Sequence, residues 1–165
     1  MRRIPLEISV LSVAVATLVG QAPPWQVLPA QRDGMMDRST YDRYLAAFNA
    51  RDYDGVLSFW AEPFELTFAG YRFTRKAEVK AFYAFFHAYA EESITVGAYV
   101  SDARMVAMEV VVRLTGRRAL DAATLAAAGF DRLVPLAAGQ VVEIPQFIHY
   151  HLRDGKIVRA TCAVV

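Results

Sequence analysis

The spacing of apolar positions divides most of the chain into segments with a helical period and segments that alternate. Tyr41, Tyr44, Leu45 and Phe48 recur at i, i+3, i+4 and i+7, which predicts a helix over residues 39–50 with Ser39 as its cap. After the polar break Arg51-Asp52, residues 53–60 read as a second, short helix that Pro63 ends. Phe64-Glu65-Leu66-Thr67-Phe68 alternates with period two, a half-buried strand, and Gly70 turns it back into a partner over residues 71–73. Thr74 caps a third helix to about Glu91, with Val79, Phe82, Tyr83 and Phe86 on its buried face.

Strands dominate from there. Residues 93–100 and 105–115 flank a polar turn, and in the second of them Met108, Val110, Val112 and Leu114 share one face while Glu109, Val111 and Arg113 share the other. Residues 117–139 interrupt the sheet as an insertion. Within it Asp121 caps, and Gly129 stops, a short alanine-rich helix. A long strand resumes over 140–152, Asp154-Gly155 is a hairpin turn, and 156–165 is the last strand. The order predicts an α+β fold: a curved, mostly antiparallel sheet wrapped on three helices. Such a sheet encloses a pocket.

Composition narrows the function classes. With 165 residues, one domain is expected. Hydrophobic residues at 55% against 21% charged exclude a disordered chain. A net charge of +1 without a basic stripe excludes a nucleic-acid binder. The single cysteine, Cys162, excludes an internal disulfide and a multi-thiolate metal site. Ten Phe and eight Tyr supply flat apolar surface with a few phenolic hydroxyls set into it.

Residues 1–36 read differently, as a leader followed by a linker rich in proline, with the folded domain over 37–165. Met1-Arg2-Arg3 and the apolar run to Gly20 have the form of a signal peptide cleaved near residue 22, which would export the protein. The alternative is a start at Met35 or Met36 and a cytoplasmic protein, and this reading is preferred because Glu7 and Pro23 disfavour cleavage. The apolar run is too short and interrupted for a membrane span.

The helix ending in Phe48-Asn49-Ala50-Arg51-Asp52-Tyr53-Asp54-Gly55-Val56 and the terminal Leu152-Arg153-Asp154-Gly155-Lys156-Ile157-Val158 carry a family likeness. In this order and spacing they resemble the nuclear transport factor 2-like superfamily, in particular its SnoaL-like branch, whose relatives include ketosteroid isomerase, scytalone dehydratase and limonene epoxide hydrolase. The resemblance implies a cone-shaped half-barrel with an apolar pocket and, commonly, a homodimer. It does not fix a reaction, because the fold hosts many. Compared with ketosteroid isomerase, Tyr44 falls at the oxyanion-donor position and Tyr83 at that of its supporting tyrosine. The two carboxylate positions of that family fall on Phe68 and Ile148. Gln146 falls where scytalone dehydratase has a pocket asparagine. The epoxide hydrolases' Asp-Arg-Asp set has no match.

The candidates read as follows. A phenol at Tyr44, on an apolar helix face, can donate to a developing oxyanion; the alternative is a core tyrosine bonded to a backbone carbonyl. Tyr83 shares both readings. Gln146 and Tyr150 alternate with Ile148 and Leu152 and face the pocket, where they would orient a substrate; the alternatives are a hydrogen bond from Gln146 to the insertion, which is slightly preferred, and a plain wall residue at Tyr150. Trp60, Phe68, Phe82, Phe86, Val110, Val112, Ile148 and Cys162 would line it. His149 and His151 point to the convex face, unless a bulge at Pro145 shifts the register and delivers His149 as the base. The alanine-rich helix of the insertion is expected to cover the pocket as a lid and to supply Asp131 or Arg132 to a ligand, Asp131 being the other candidate base; a plain surface excursion is the alternative and is preferred over a catalytic role. His87 reads as a helix-surface histidine. Two histidines at i, i+2 without a third ligand make no metal site, and no cofactor is expected. The expected function is a cofactor-independent lyase, isomerase or dehydratase acting on a hydrophobic aromatic or cyclic small molecule. The alternative is a non-catalytic binding or dimerisation module of the same fold.

Overall fold

A computed structural model describes residues 35–165, all within one compact unit, Arg32–Val165. The leader expected over residues 1–36 lies, apart from Met35 and Met36, outside the described residues. Met36 is buried against the core, and its carbonyl accepts from Tyr99 Oη at 2.6 Å.

Helix α1 (Arg38–Asn49) buries Tyr41, Tyr44 and Phe48. Its cap is Asp37 rather than Ser39: the Asp37 carboxylate accepts from the Thr40 N–H at 2.8 Å, and the Ser39 hydroxyl donates to the same carboxylate. Helix α2 (Tyr53–Ser58) is shorter than expected, and Trp60 already belongs to strand β1 (Trp60–Phe68). Pro63 therefore ends no helix. It sits in the part of β1 between Trp60 and Glu65 where the pairing slips, so its missing N–H costs no ladder bond. β2 (Tyr71–Phe73) closes the first hairpin. Helix α3 (Lys76–Tyr89) has Arg75, not Thr74, at its cap, and the Glu78 carboxylate reaches back to the N–H groups of both.

Strands β3 (Ala90–Ser101), β4 (Met105–Gly116), β5 (Val141–Arg153) and β6 (Lys156–Val164) follow, with the short helix α4 (Ala122–Ala127) in the insertion. The six strands form one open, mixed sheet in the order β2-β1-β6-β5-β4-β3. All neighbours are antiparallel except β1 and β6, which run parallel with Leu66 opposite Ala160. The register places Met108 opposite Ile148, and Ile148 opposite Cys162, so residues of like parity share the concave face. Helices α1, α2 and α3 pack their apolar residues on that face, and the fold is the α+β cone expected from the resemblance. Among the described residues no helix is long and apolar enough to cross a membrane.

Candidate functional site

The cone is hollow. A cavity of about 480 Å³ lies between the helices and the concave face. That falls within the range of roughly 300–1,000 Å³ typical of small-molecule sites. Its wall is mostly aliphatic and aromatic, as the alternation of β4, β5 and β6 dictates. Trp60, Phe68, Phe82, Phe86, Val112, Ile148 and Cys162 line it, as expected. Val110 does not: it is buried in the core opposite Gln146 but contributes no cavity wall.

One cluster of polar groups in the wall comes from three elements. Tyr44 on α1, Trp60 on β1 and Tyr150 on β5 all line the cavity and are nearly fully buried. Ring centroids of Tyr44 and Tyr150 lie 6.1 Å apart, and those of Trp60 and Tyr150 also 6.1 Å. Burial pushes the Tyr44 phenol up to about 12; the Tyr150 hydroxyl and the Trp60 N–H beside it pull the other way. Burial also holds Tyr150 well above the ordinary phenol range. Both phenols therefore keep their protons at neutral pH and remain donors. The Trp60 N–H has no acceptor among the described residues. The neighbouring Tyr41 hydroxyl is orphaned in the same way, but Tyr41 is sealed in the core and does not line the cavity. The cavity-lining phenol beside Tyr44 is thus Tyr150. Tyr83 also lines the cavity, with its ring against Phe48, His87 and Tyr53.

Gln146 faces the cavity on the same strand face as Ile148 and Tyr150. The even alternation of β5 through Pro145 excludes the register shift that would turn His149 inward. His149 is exposed on the convex face and opposes Thr161 on β6, so it is corrected from candidate base to surface residue. His151 shares that face, 2.6 Å from Arg159; burial and then the guanidinium hold its imidazole below its ordinary value.

The insertion covers the cavity, but not with the alanine-rich helix. α4 buries Leu125 and lines nothing; the following strap, Arg132 to Leu136, forms the wall. Asp131 is likewise corrected. It is exposed, does not line the cavity, and accepts from Tyr71 Oη at 3.3 Å. Its neighbour Arg132 does line the mouth, where one guanidinium nitrogen donates to Gly70 O and its backbone N–H donates to Tyr71 Oη at 2.6 Å.

A second polar cluster was missed in the sequence. Glu92 lines the cavity with a side chain only 13% exposed, and its Oε2 lies 3.0 Å from Nε2 of His87. His87 is buried, not on the helix surface, and its Nδ1 lies 3.0 Å from Tyr53 Oη. Two signals in the sequence point there. His87 is four residues beyond Tyr83, on the same stripe of α3. Glu92 shares the parity of Ile94 and Val96 once β3 is extended back to Ala90. Cys162 is held as an inert thiol: burial, then the Glu92 charge, pushes it up to about 12. Among the described residues no three His, Cys, Asp or Glu side chains come together as a metal site.

Residues 41–160 match the SnoaL-like domain family. Solved structures match over most of the cone. A candidate polyketide cyclase from Silicibacter sp. TM1040 is 28% identical, with a TM-score of 0.62 over 77% of this chain and 87% of that one. Another from Xanthomonas campestris pv. campestris is 27% identical, with a TM-score of 0.57 over 74% and 84%. An epoxide hydrolase from M. tuberculosis, of the limonene-epoxide-hydrolase-like type, shares the fold at 12% identity and a TM-score of 0.56 over 76% and 79%. No curated protein matches the chain.

Proposed function

The chain belongs to the SnoaL-like domain family, whose structural neighbours include small-molecule-processing enzymes, and on that premise we propose that it is a cofactor-independent enzyme of proton-transfer chemistry. Its substrate would be an apolar aromatic or cyclic molecule bearing a carbonyl oxygen, and the reaction that of a lyase, isomerase or dehydratase.

One observation carries this reading: three hydrogen-bond donors, the hydroxyls of Tyr44 and Tyr150 and the buried N–H of Trp60, unpartnered among the described residues, belong to neighbouring residues in a mostly apolar cavity wall. The indole can only donate, whereas each phenol donates one hydrogen and accepts others. However the three are linked, one hydrogen is left without an acceptor from within the cluster. A ligand oxygen fits it. When a proton leaves the carbon beside a carbonyl, that oxygen gains negative charge, and fixed donors in a dry site hold the enolate more strongly than the neutral ketone. Removing one such donor typically costs about 3 kcal/mol of barrier lowering. Gln146 would orient the remainder of the ring system. Aldol ring closure also begins with proton removal beside a carbonyl, so ketones of polyketide type are the first natural compounds to try, in keeping with the Silicibacter neighbour.

The test compares 2-tetralone with tetralin, the same bicyclic skeleton without oxygen, by calorimetric titration. The ketone is expected to bind about ten-fold more tightly, a difference of about 1.4 kcal/mol, and Tyr44→Phe together with Tyr150→Phe should remove that preference. Equal binding of the two compounds, or none, overturns the reading. A binding module of the same fold would hold the ketone and leave its carbon-bound hydrogens untouched.

A further inference from the structure

Oxyanion donors need a partner that takes the proton, and the convex-face histidines cannot serve. We propose that Glu92 is the acid–base group of the cavity and that His87 is the positioning residue that aims its carboxylate. The proposal rests on the cavity reading given above and names the group that reading lacks.

One arrangement of hydrogens leaves Glu92 ionised and His87 neutral, the state a general base requires. An ionised carboxylate only accepts, so a neutral His87 must present Nε2–H to Glu92 Oε2, 3.0 Å away. Nδ1 is then left as an acceptor, and Tyr53 Oη, also at 3.0 Å, supplies the hydrogen. The imidazole cannot swing away. Phe48 stands edge-on to it at 5.7 Å between centroids, and the Tyr53 ring stacks on it at 5.9 Å. The backbone is tied as well, because the Arg51 guanidinium donates to His87 O at 3.0 Å from the turn after α1. Two helices thus hold the imidazole, the turn between them holds its backbone, and the imidazole holds one oxygen of the carboxylate. The other oxygen is left for a ligand. Glu92 and the phenols Tyr44, Tyr83 and Tyr150 line the same cavity.

The step balances without an oxidant or reductant. The free oxygen of Glu92 takes the proton from the carbon beside the ligand's carbonyl. The C–H electron pair moves into the new C=C bond, and the charge arrives on the oxygen that Tyr44 and Tyr150 face. Returning the proton to another carbon of the conjugated system completes an isomerisation. Departure of a β-substituent with its electron pair completes a lyase or dehydratase step.

The experiment follows deuterium incorporation beside the carbonyl of 2-tetralone in D₂O by proton NMR, with binding measured in parallel. The wild-type chain is expected to exchange above the buffer rate. Glu92→Gln should lower exchange by about 100-fold or more while 2-tetralone affinity stays within about three-fold, since under 1 kcal/mol of binding is at stake. His87→Phe should lower exchange about 10–100-fold, and His87→Gln, whose amide can still donate to Glu92, should recover part of the loss. Because a donated hydrogen bond favours the ionised carboxylate, the pH at which exchange sets in should rise in His87→Phe. The other ionisable groups around the pair, Arg51, Tyr53, Tyr44, Tyr83 and Cys162, are unchanged in that variant. Undiminished exchange in Glu92→Gln, or binding without exchange by the wild type, overturns the acid–base assignment and leaves the cavity reading standing. Equal loss in both His87 variants with no shift in pH overturns the positioning role. Failure to bind 2-tetralone at all is the separate failure of the cavity reading.

Discussion

His87 Nε2 stands 3.0 Å from Glu92 Oε2 across the joint where α3 becomes β3, the imidazole almost fully buried and the carboxylate side chain 13% exposed. A largely buried carboxylate stripped of its donor keeps its desolvation cost and loses its compensation. His87→Phe should therefore destabilise the fold by about 3 kcal/mol, and His87→Gln by clearly less. Urea unfolding at pH 7 measures both, and wild-type stability in His87→Phe would show that the pair holds nothing together.

Tyr41 and Tyr44 lie on one helix face with rings 5.6 Å apart, yet their hydroxyls differ. The Tyr41 hydroxyl is buried without a partner among the described residues, whereas Tyr44 lines the cavity. Tyr41→Phe removes an unsatisfied polar atom and should be neutral or stabilising by about 1 kcal/mol, with ligand binding unchanged. Tyr44→Phe should leave stability near wild type and weaken ketone binding or turnover. Thermal melts and titrations of the two variants side by side check the contrast.

The buried phenols predict a loss of stability at high pH. Tyr44 is held at about 12 by burial, against an ordinary value of about 10 in an unfolded chain. The folded state binds that proton more tightly, so its contribution is fully present below pH 10 and is lost as pH rises toward 12. Tyr41, Tyr83 and Tyr150 are raised by the same cause and act in the same direction. Each phenol that ionises only on unfolding contributes a slope of up to about 1.4 kcal/mol per pH unit. The Cys162 thiol, raised by burial from about 9 to about 12, acts the same way, so unfolding free energies at pH 8, 10 and 11 should begin to fall above about pH 9 and fall more steeply above about pH 10.

Gly116 ends β4 against the strap. Its N–H donates to Gln140 O and its carbonyl accepts from Gly139 N–H, both at 2.8 Å, and a Cβ there would collide with the carbonyl of Ala137. Gly116→Ala should push the strap outward and cost about 2–3 kcal/mol. Because Arg132 to Leu136 form part of the cavity wall, 2-tetralone binding should weaken as well. Full affinity in this variant would show that the strap does not shape the site.

Periodicity located nearly every element, because amphipathic faces repeat at 3.6 residues on helices and at two on strands. The concave positions Gln146, Ile148 and Tyr150 were legible for that reason. Local competition blurred the ends. Asp37 and Ser39 can both cap α1, and only the backbone path selects the carboxylate. Pro63 reads as a helix stop, but in the slipped stretch of β1 no ladder bond needs its missing hydrogen. Glu92 sat on the boundary between a helical and an alternating reading, so no face was assigned to it.

The residue pattern alone determined an α+β order of elements with aromatic rings on the inner face of the sheet, since burial of apolar surface follows period and needs no knowledge of neighbours; the cone shape came with the family resemblance. Three-dimensional packing decided the rest: that β1 lies parallel beside β6, that Tyr150 rather than Tyr83 is the cavity-lining phenol beside Tyr44, and that His87 meets Glu92 over the cavity. Hydrogen bonds and charge pairs act over about 3 Å. Which polar groups come that close depends on how helices from distant parts of the chain settle onto the sheet, and no local spacing records it.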